Sequence, residues 1–215
     1  MGKITLSLCV LGVLVGFAPT AWGGYTGSLS TADGGLDGTG DWISGTSTIE
    51  WSVTQNGDQS WHYEYTLTVP GEASGISHFI LEVSESFSDP DIFNASGPFS
   101  GMEIKTHIGS SPGNPNMPED MYGIKFDDTL GTTLQFTFDA WRMPVWGDFY
   151  AKGGGQITDE IWNAGFGNPD SDPTVGASDG SVDNHILVPD SYTPEPASLS
   201  LLMLGFLGLV RRRRT

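Results

Sequence analysis

Cysteine is almost absent from this chain of 215 residues; Cys9 is the only one. A lone cysteine forms neither an intramolecular disulfide nor a multi-thiolate metal site. Basic residues are scarce too, nine Lys and Arg against 26 acids, for a formal charge of −17 at pH 7. Lys3 and Arg211 to Arg214 lie near the two ends. Between Gly24 and Pro194, 25 acids therefore face only Lys105, Lys125, Arg142 and Lys152, leaving a body near −21. A surface of that sign repels phosphate backbones, so nucleic-acid binding is excluded. No apolar run reaches the roughly 20 residues of an ordinary membrane span. No apolar pattern at helical period is long enough for a core helix, and no internal repeat suggests a solenoid or propeller.

What is abundant is glycine (30), proline (13) and aromatic residues: 11 Phe, seven Trp and six Tyr. The rings suffice for a core and argue against global disorder. Period-2 alternation is strong. Ile49, Trp51 and Val53 share one side of the stretch from Thr48 to Thr54. Asn56-Gly57 follows as a hairpin turn, and then Trp61, Tyr63, Tyr65, Leu67 and Val69 alternate with polar residues. Phe79, Leu81 and Val83, Ile124 and Phe126, Leu134, Phe136 and Phe138, and Ile186 to Val188 repeat the pattern. Five prolines from Pro90 to Pro118 predict an irregular stretch between Asp89 and Met121. Residues 23–45 and 168–181 read as loops, and Thr158 to Ala164 as one or two helical turns. Many short strands without βαβ alternation predict an all-β fold, an antiparallel, jelly-roll-like β-sandwich.

The two ends are not part of that sandwich. Lys3, the apolar run Ile4 to Phe17, and small residues at Ala21 and Gly23 predict a secretory signal peptide over residues 1–23, cut between Gly23 and Gly24. Cys9 leaves with it, so the mature chain has no thiol chemistry and depends on its apolar core. The passenger domain then covers 24–189, with a stalk at 190–193. At the far end Pro194-Glu195-Pro196 precedes 14 mostly apolar residues, Ala197 to Val210, and then four arginines, Arg211 to Arg214. As helix the apolar run spans only about 21 Å, short of a bilayer core of about 30 Å. Four arginines cannot be buried unpaired, but they can snorkel to headgroups and hold the cytoplasmic side of a short transmembrane helix.

This C-terminal order, Pro-Glu-Pro, short Leu/Gly-rich segment, arginine cluster, resembles the PEP-CTERM sorting signal over residues 194–215. The resemblance implies an exported protein in a Gram-negative, exopolysaccharide-making host. It implies a partner, the exosortase, a membrane cysteine transpeptidase that reads Pro194, Glu195 and Pro196 and cuts at or near them. Arg211, Arg212, Arg213 and Arg214 would be the cytoplasmic anchor of an inner-membrane intermediate, and the product would go to the cell surface or extracellular (biofilm) matrix. Thr193 stands where family members usually have Val. Ser77 to Glu82 and Pro144 to Lys152 also resemble stretches of other PEP-CTERM passenger domains of unknown function.

Motifs that could carry chemistry in the body are weak. Gly176, Ser178 and Gly180 fit G-x-S-x-G, with Asp183 and His185 following in hydrolase order. A nucleophile elbow needs a strand before it and a helix after it, and neither pattern is present. Asp179, Ser181, Asp183 and Asp190 have the spacing of an EF-hand loop but lack its central glycine and flanking helices. Asp33, Asp37, Asp41, Asp170, Asp172, Asp179 and Asp183 lie in Gly-rich loops. The expectation for them is a solvated acidic surface without a cofactor; structural calcium, with Asp179 and Asp183 as ligands, is the alternative that such oxygen donors suit. His62, His78, His107 and His185 show no zinc-motif spacing, and His62 falls on the polar side of its strand. Trp141, Trp146, Phe149 and Tyr150 cluster around Arg142 and Pro144, as sandwich core or as rings for stacking on sugar. The expectation is a non-enzymatic exported surface or matrix protein. A carbohydrate-binding module acting on exopolysaccharide is the alternative, and a glycan hydrolase the next; carboxylate pairs for the latter cannot be recognised by spacing.

Overall fold

The alternating segments become strands because one row of side chains per strand can be buried while the other row stays wet. A computed structural model describes residues 23–71, 74–127, 131–154, 159–167 and 172–189. The signal peptide, the stalk and the C-terminal sorting segment lie outside the described residues. So do Asp170 and Asp190.

A five-stranded antiparallel sheet has the order β1 (Gly24–Ser30), β3 (Thr48–Gln55), β4 (Trp61–Thr68), β9 (Thr133–Ala140), β6 (Ile92–Ser96). A six-stranded antiparallel sheet has the order β2 (Leu36–Thr39), β12 (Glu160–Asn163), β11 (Phe149–Gly153), β5 (Ile76–Glu82), β8 (Met121–Asp127), β7 (Gly101–His107). A two-stranded ribbon, β10 (Pro144–Gly147) with β13 (Ile186–Pro189), completes the strands. One short helix, α1 (Gly40–Ser44), follows β2 and buries Trp42.

The two large sheets meet through aromatic rings. Phe126 of β8 lies 4.5 Å from Phe136 of β9, and Phe79 of β5 lies 5.2 Å from the same ring. Within the five-stranded sheet, Tyr63 stacks on Phe138 at 5.1 Å and Tyr65 on Phe136 at 5.2 Å. Their hydroxyls are buried but donate to backbone carbonyls of Arg142 (2.8 Å) and Leu187 (2.7 Å), which removes the cost of burying them. Ile49, Trp51 and Val53 face this core as the alternation predicts.

A smaller apolar layer covers the opposite face of the six-stranded sheet. Ile80, Met121 and Tyr150 project there and pack with Met117 and Phe166, while Trp162 stacks on Tyr150 at 6.4 Å. The segment between β7 and β8 supplies this cover, with Tyr150 donating its hydroxyl to the Pro115 carbonyl at 2.7 Å.

Several sequence expectations need correction. Residues 23–45 are not loop; they hold β1, β2 and α1. The proline-punctuated stretch contains β6 and β7. β1, β2, β6 and β7 are the edges of the two large sheets, where few side chains are buried and alternation is faint. Residues 160–163 are strand, not helical turns, because β12 pairs on both sides with β11 and β2; tertiary pairing overrides weak local propensity. The β3–β4 hairpin exists, but its positive-φ residue is Gln59 (76°) rather than Gly57, in a five-residue connection closed by Asn56 N–H to the Ser60 carbonyl.

Candidate functional site

At one end of the six-stranded sheet, four carboxylates and one imidazole line a single cavity. Glu82, the last residue of β5, points to the same side as Ile80, away from the main core. Asp148 sits between β10 and β11, held by the turn that passes the chain from the ribbon into the large sheet. His185 immediately precedes β13, and Asp172 arrives on the long loop before it. With Glu119, Gly165 and Gly167 they line a cavity of about 160 Å³. A larger open cleft of about 730 Å³, walled by residues 172–175 and 182–185, shares Gly165, Asp172 and His185 with it.

The geometry inside is well defined. Asn163 donates its side-chain amide to Asp148 Oδ1 at 2.6 Å and accepts from the Phe149 N–H at 3.0 Å, which fixes both groups. Glu82 accepts from the Asp148 backbone N–H at 2.7 Å. His185 Nε2 lies 3.5 Å from Asp148 Oδ1 and 3.7 Å from Asp172 Oδ1, too far for good hydrogen bonds. Its Nδ1 is buried and has no partner. Burial pushes the Asp148 carboxyl up to about 6, helped by Asp172 and Glu119 and opposed by the Asn163 hydrogen bond and His185. Burial, with the Asp172 and Asp148 charges, also raises Glu82 well above the ordinary carboxylate value. Asp172 is raised by burial against the pull of His185. The cavity thus concentrates acid groups that disfavour one another's charge.

Only part of this was visible in the sequence. His185 and Asp172 are among the residues singled out above, but in other roles. Asp148 and Glu82 lie in the two stretches that resemble other passenger domains, a resemblance that implies no role for them; their physical signal is an acid set in or directly after an apolar run, Val145 to Tyr150 and Phe79 to Leu81. Asp179 and Asp183 stand apart: Asp179 Oδ1 accepts the Thr26 N–H at 2.9 Å, and Asp183 is exposed with φ of 48°. Among the described residues, Asp148, Asp172 and His185 are the group whose ligand atoms all lie within 4.8 Å of one another. Ser178 donates to the Asp179 carbonyl at 3.3 Å, in a loop that leads into strand β13 and not into a helix, so the G-x-S-x-G spacing does not build an elbow. His62 lies on the outer side of β4, as expected, and contacts Asp139 at 2.7 Å.

The aromatic cluster divides. Trp146, Phe149 and Tyr150 are buried, whereas Trp141 is 53% exposed and leans on Phe93 at 5.3 Å, with Met143 also exposed nearby in sequence. Asn94 donates to Asp139 Oδ2 at 2.7 Å beside Phe93. This is one ring pair with polar neighbours, not a planar row of rings.

Comparison with known proteins places one segment. Residues 193–214 match the PEP-CTERM protein-sorting motif. The match covers Pro194, Glu195, Pro196 and the arginines Arg211 to Arg214, and it implies an exported protein sorted by an exosortase through the membrane. None of the curated proteins and none of the solved structures matches the chain. Among the described residues, no helix is long and apolar enough to cross a membrane; the segment expected to do so lies outside them.

Proposed function

We propose that this chain is a non-enzymatic exported protein whose acidic β-sandwich is delivered by an exosortase to the cell surface or extracellular matrix. The observation that carries this reading is the sorting motif at residues 193–214, attached directly after a folded passenger. Signal-peptide cleavage before Gly24 would leave as the new N-terminus the first residue of β1, which pairs with Thr54, so the cut would leave β1 whole. Pro194 and Pro196 hold φ fixed and keep the residue before each out of helix, which presents an extended segment to a protease cleft. The arginines delay translocation and keep that segment near the outer boundary.

The deciding experiment is peptide mapping of the surface form. The expected product lacks Leu199 to Thr215. Recovery of the arginine tail in that form would replace the sorting reading with a lasting membrane anchor.

One observation favours a second reading, a carbohydrate-binding module for exopolysaccharide. Trp141 is the large ring that the passenger leaves exposed against a second aromatic, and such a face can stack on sugar. Trp141→Ala should then abolish retention on host exopolysaccharide while the fold persists. Equal retention of the variant and the parent would remove this reading.

A further inference from the structure

We infer that Asp148, Asp172 and His185 form the binding site of one divalent transition-metal ion of the zinc class, with Glu82 and Glu119 lining the same cavity. Charge is the first argument. Four acids and a single histidine line about 160 Å³, and nothing else on that lining is basic. A dication offsets this repulsion where protons otherwise must. The space would admit an ion together with water molecules, each needing roughly 30 Å³.

The imidazole is the second, independent argument. The His185 side chain is only 6% exposed, neither ring nitrogen makes a hydrogen bond, and Nε2 faces two carboxylate oxygens at 3.5 and 3.7 Å. With bonds of about 2.0–2.1 Å, ligands at tetrahedral angles stand about 3.4 Å apart. The observed separations are close to that and too long for direct hydrogen bonding. An imidazole among carboxylates suits zinc or its first-row neighbours, whereas calcium takes oxygen ligands alone.

The surroundings support Asp148 and His185 as ligands. Asn163 holds Asp148 Oδ1 at 2.6 Å, the kind of outer hydrogen bond that orients a ligating carboxylate. Gly165 lets the His185 ring approach; a β-carbon there would come within 2.8 Å of Nδ1. Metal on Nε2 leaves the proton on Nδ1, which has no acceptor. Affinity should therefore be about 10–100-fold below that of a site whose histidine has one.

The test uses the full chain in mild detergent, made without a histidine tag and stripped with EDTA. Zinc chloride, manganese chloride, calcium chloride and magnesium chloride are compared by calorimetry and thermal unfolding, and Co²⁺ serves as a spectroscopic probe of ligand geometry. The expected result is one saturable zinc site per chain, a raised Tm, and tetrahedral Co²⁺ bands. Asp172→Asn changes a side chain that is 45% exposed, only partly desolvated in the cavity, and should fold normally, yet weaken zinc at least about tenfold; His185→Gln should abolish the Co²⁺ bands. Asp179→Asn should change nothing. Absence of saturable zinc binding, zinc binding unchanged in both ligand variants, or stabilisation by calcium or magnesium with no response to zinc would each overturn the assignment.

Discussion

Arg142 and Asp91 form a two-point ion pair, Nε to Oδ1 at 3.0 Å and Nη2 to Oδ2 at 3.2 Å, in a body with only four bases. The arginine is buried and also donates to the Ser86 carbonyl at 2.9 Å, tying the segment before β6 to the end of β9. Burial works against the Asp91 carboxylate, but hydrogen bonds from Arg142 and Ser88 outweigh it and hold it below the usual value. Arg142→Met keeps much of the stem and removes the charge, leaving Asp91 and Ser86 unpaired by it. The expected loss is about 3 kcal/mol, read as a lower urea midpoint at unchanged slope.

His78 gives the fold a pH dependence. Burial, followed by repulsion from Lys125, lowers its pKa from 6.5 to about 4; Lys152 and His107 add to this and Asp127 opposes it. A depressed histidine contributes stability that is present above pH 6.5 and lost as pH falls toward 4. The raised carboxyls of Asp148, Glu82 and Asp172 act with the opposite sign, adding stability as pH falls. The role of His78 is therefore read as a difference: relative to His78→Phe, the parent should lose stability as pH falls through that window. His107, lowered by burial in the same direction, acts equally in both proteins. Chemical unfolding at pH 4, 5, 6 and 7 in EDTA measures both; an equal slope in the variant would refute the role of His78.

Trp141, next to the end of β9, and Trp146, within β10, should respond unequally. Trp146 is 1% exposed in the main core, so Trp146→Ala should cost about 3–5 kcal/mol through lost burial and a cavity. Trp141→Ala should cost about 1 kcal/mol or less, since its ring is half in solvent. Comparable losses in thermal unfolding would mean that Trp141 is structural after all.

Gly27 on the edge strand β1 is a close-approach glycine. Its strand partner is Trp51, and a β-carbon would fall on that ring and on the Gly180 carbonyl. The loop is tied there by Gly180 N–H to the Thr26 carbonyl at 2.8 Å. Gly27→Ala should therefore destabilise by roughly 1–3 kcal/mol through overpacking. Limited proteolysis should find new cuts in residues 172–180. A variant as stable and resistant as the parent would show that the loop can stand off.

Processing at the two ends should follow the charges there. Mass spectrometry of the envelope form should find Gly24 first; an intact Met1 would exclude the signal peptide. Glu195→Ala, or serine at Arg211 to Arg214, should leave full-length precursor in the inner membrane or lost to the periplasm. Normal surface delivery of both variants would contradict recognition through these residues.

The sequence by itself determined the sorting segment, the all-β class and the central strands. Sorting signals are read locally, as order and charge along one stretch, so Pro194 to Arg214 need no fold to be legible. Central strands such as β4 and β9 bury every second side chain, and that periodicity is written in Trp61 to Leu67 and Leu134 to Phe138. Edge strands bury few residues and acquire their conformation from a neighbour's hydrogen bonds, so β1, β2, β6 and β7 were settled only by the tertiary structure. The same holds for the carboxylate–histidine cavity. Glu82, Asp148, Asp172 and His185 come from four separate segments, and only the packing of the ribbon and loop against the six-stranded sheet brings their charges within a few ångströms.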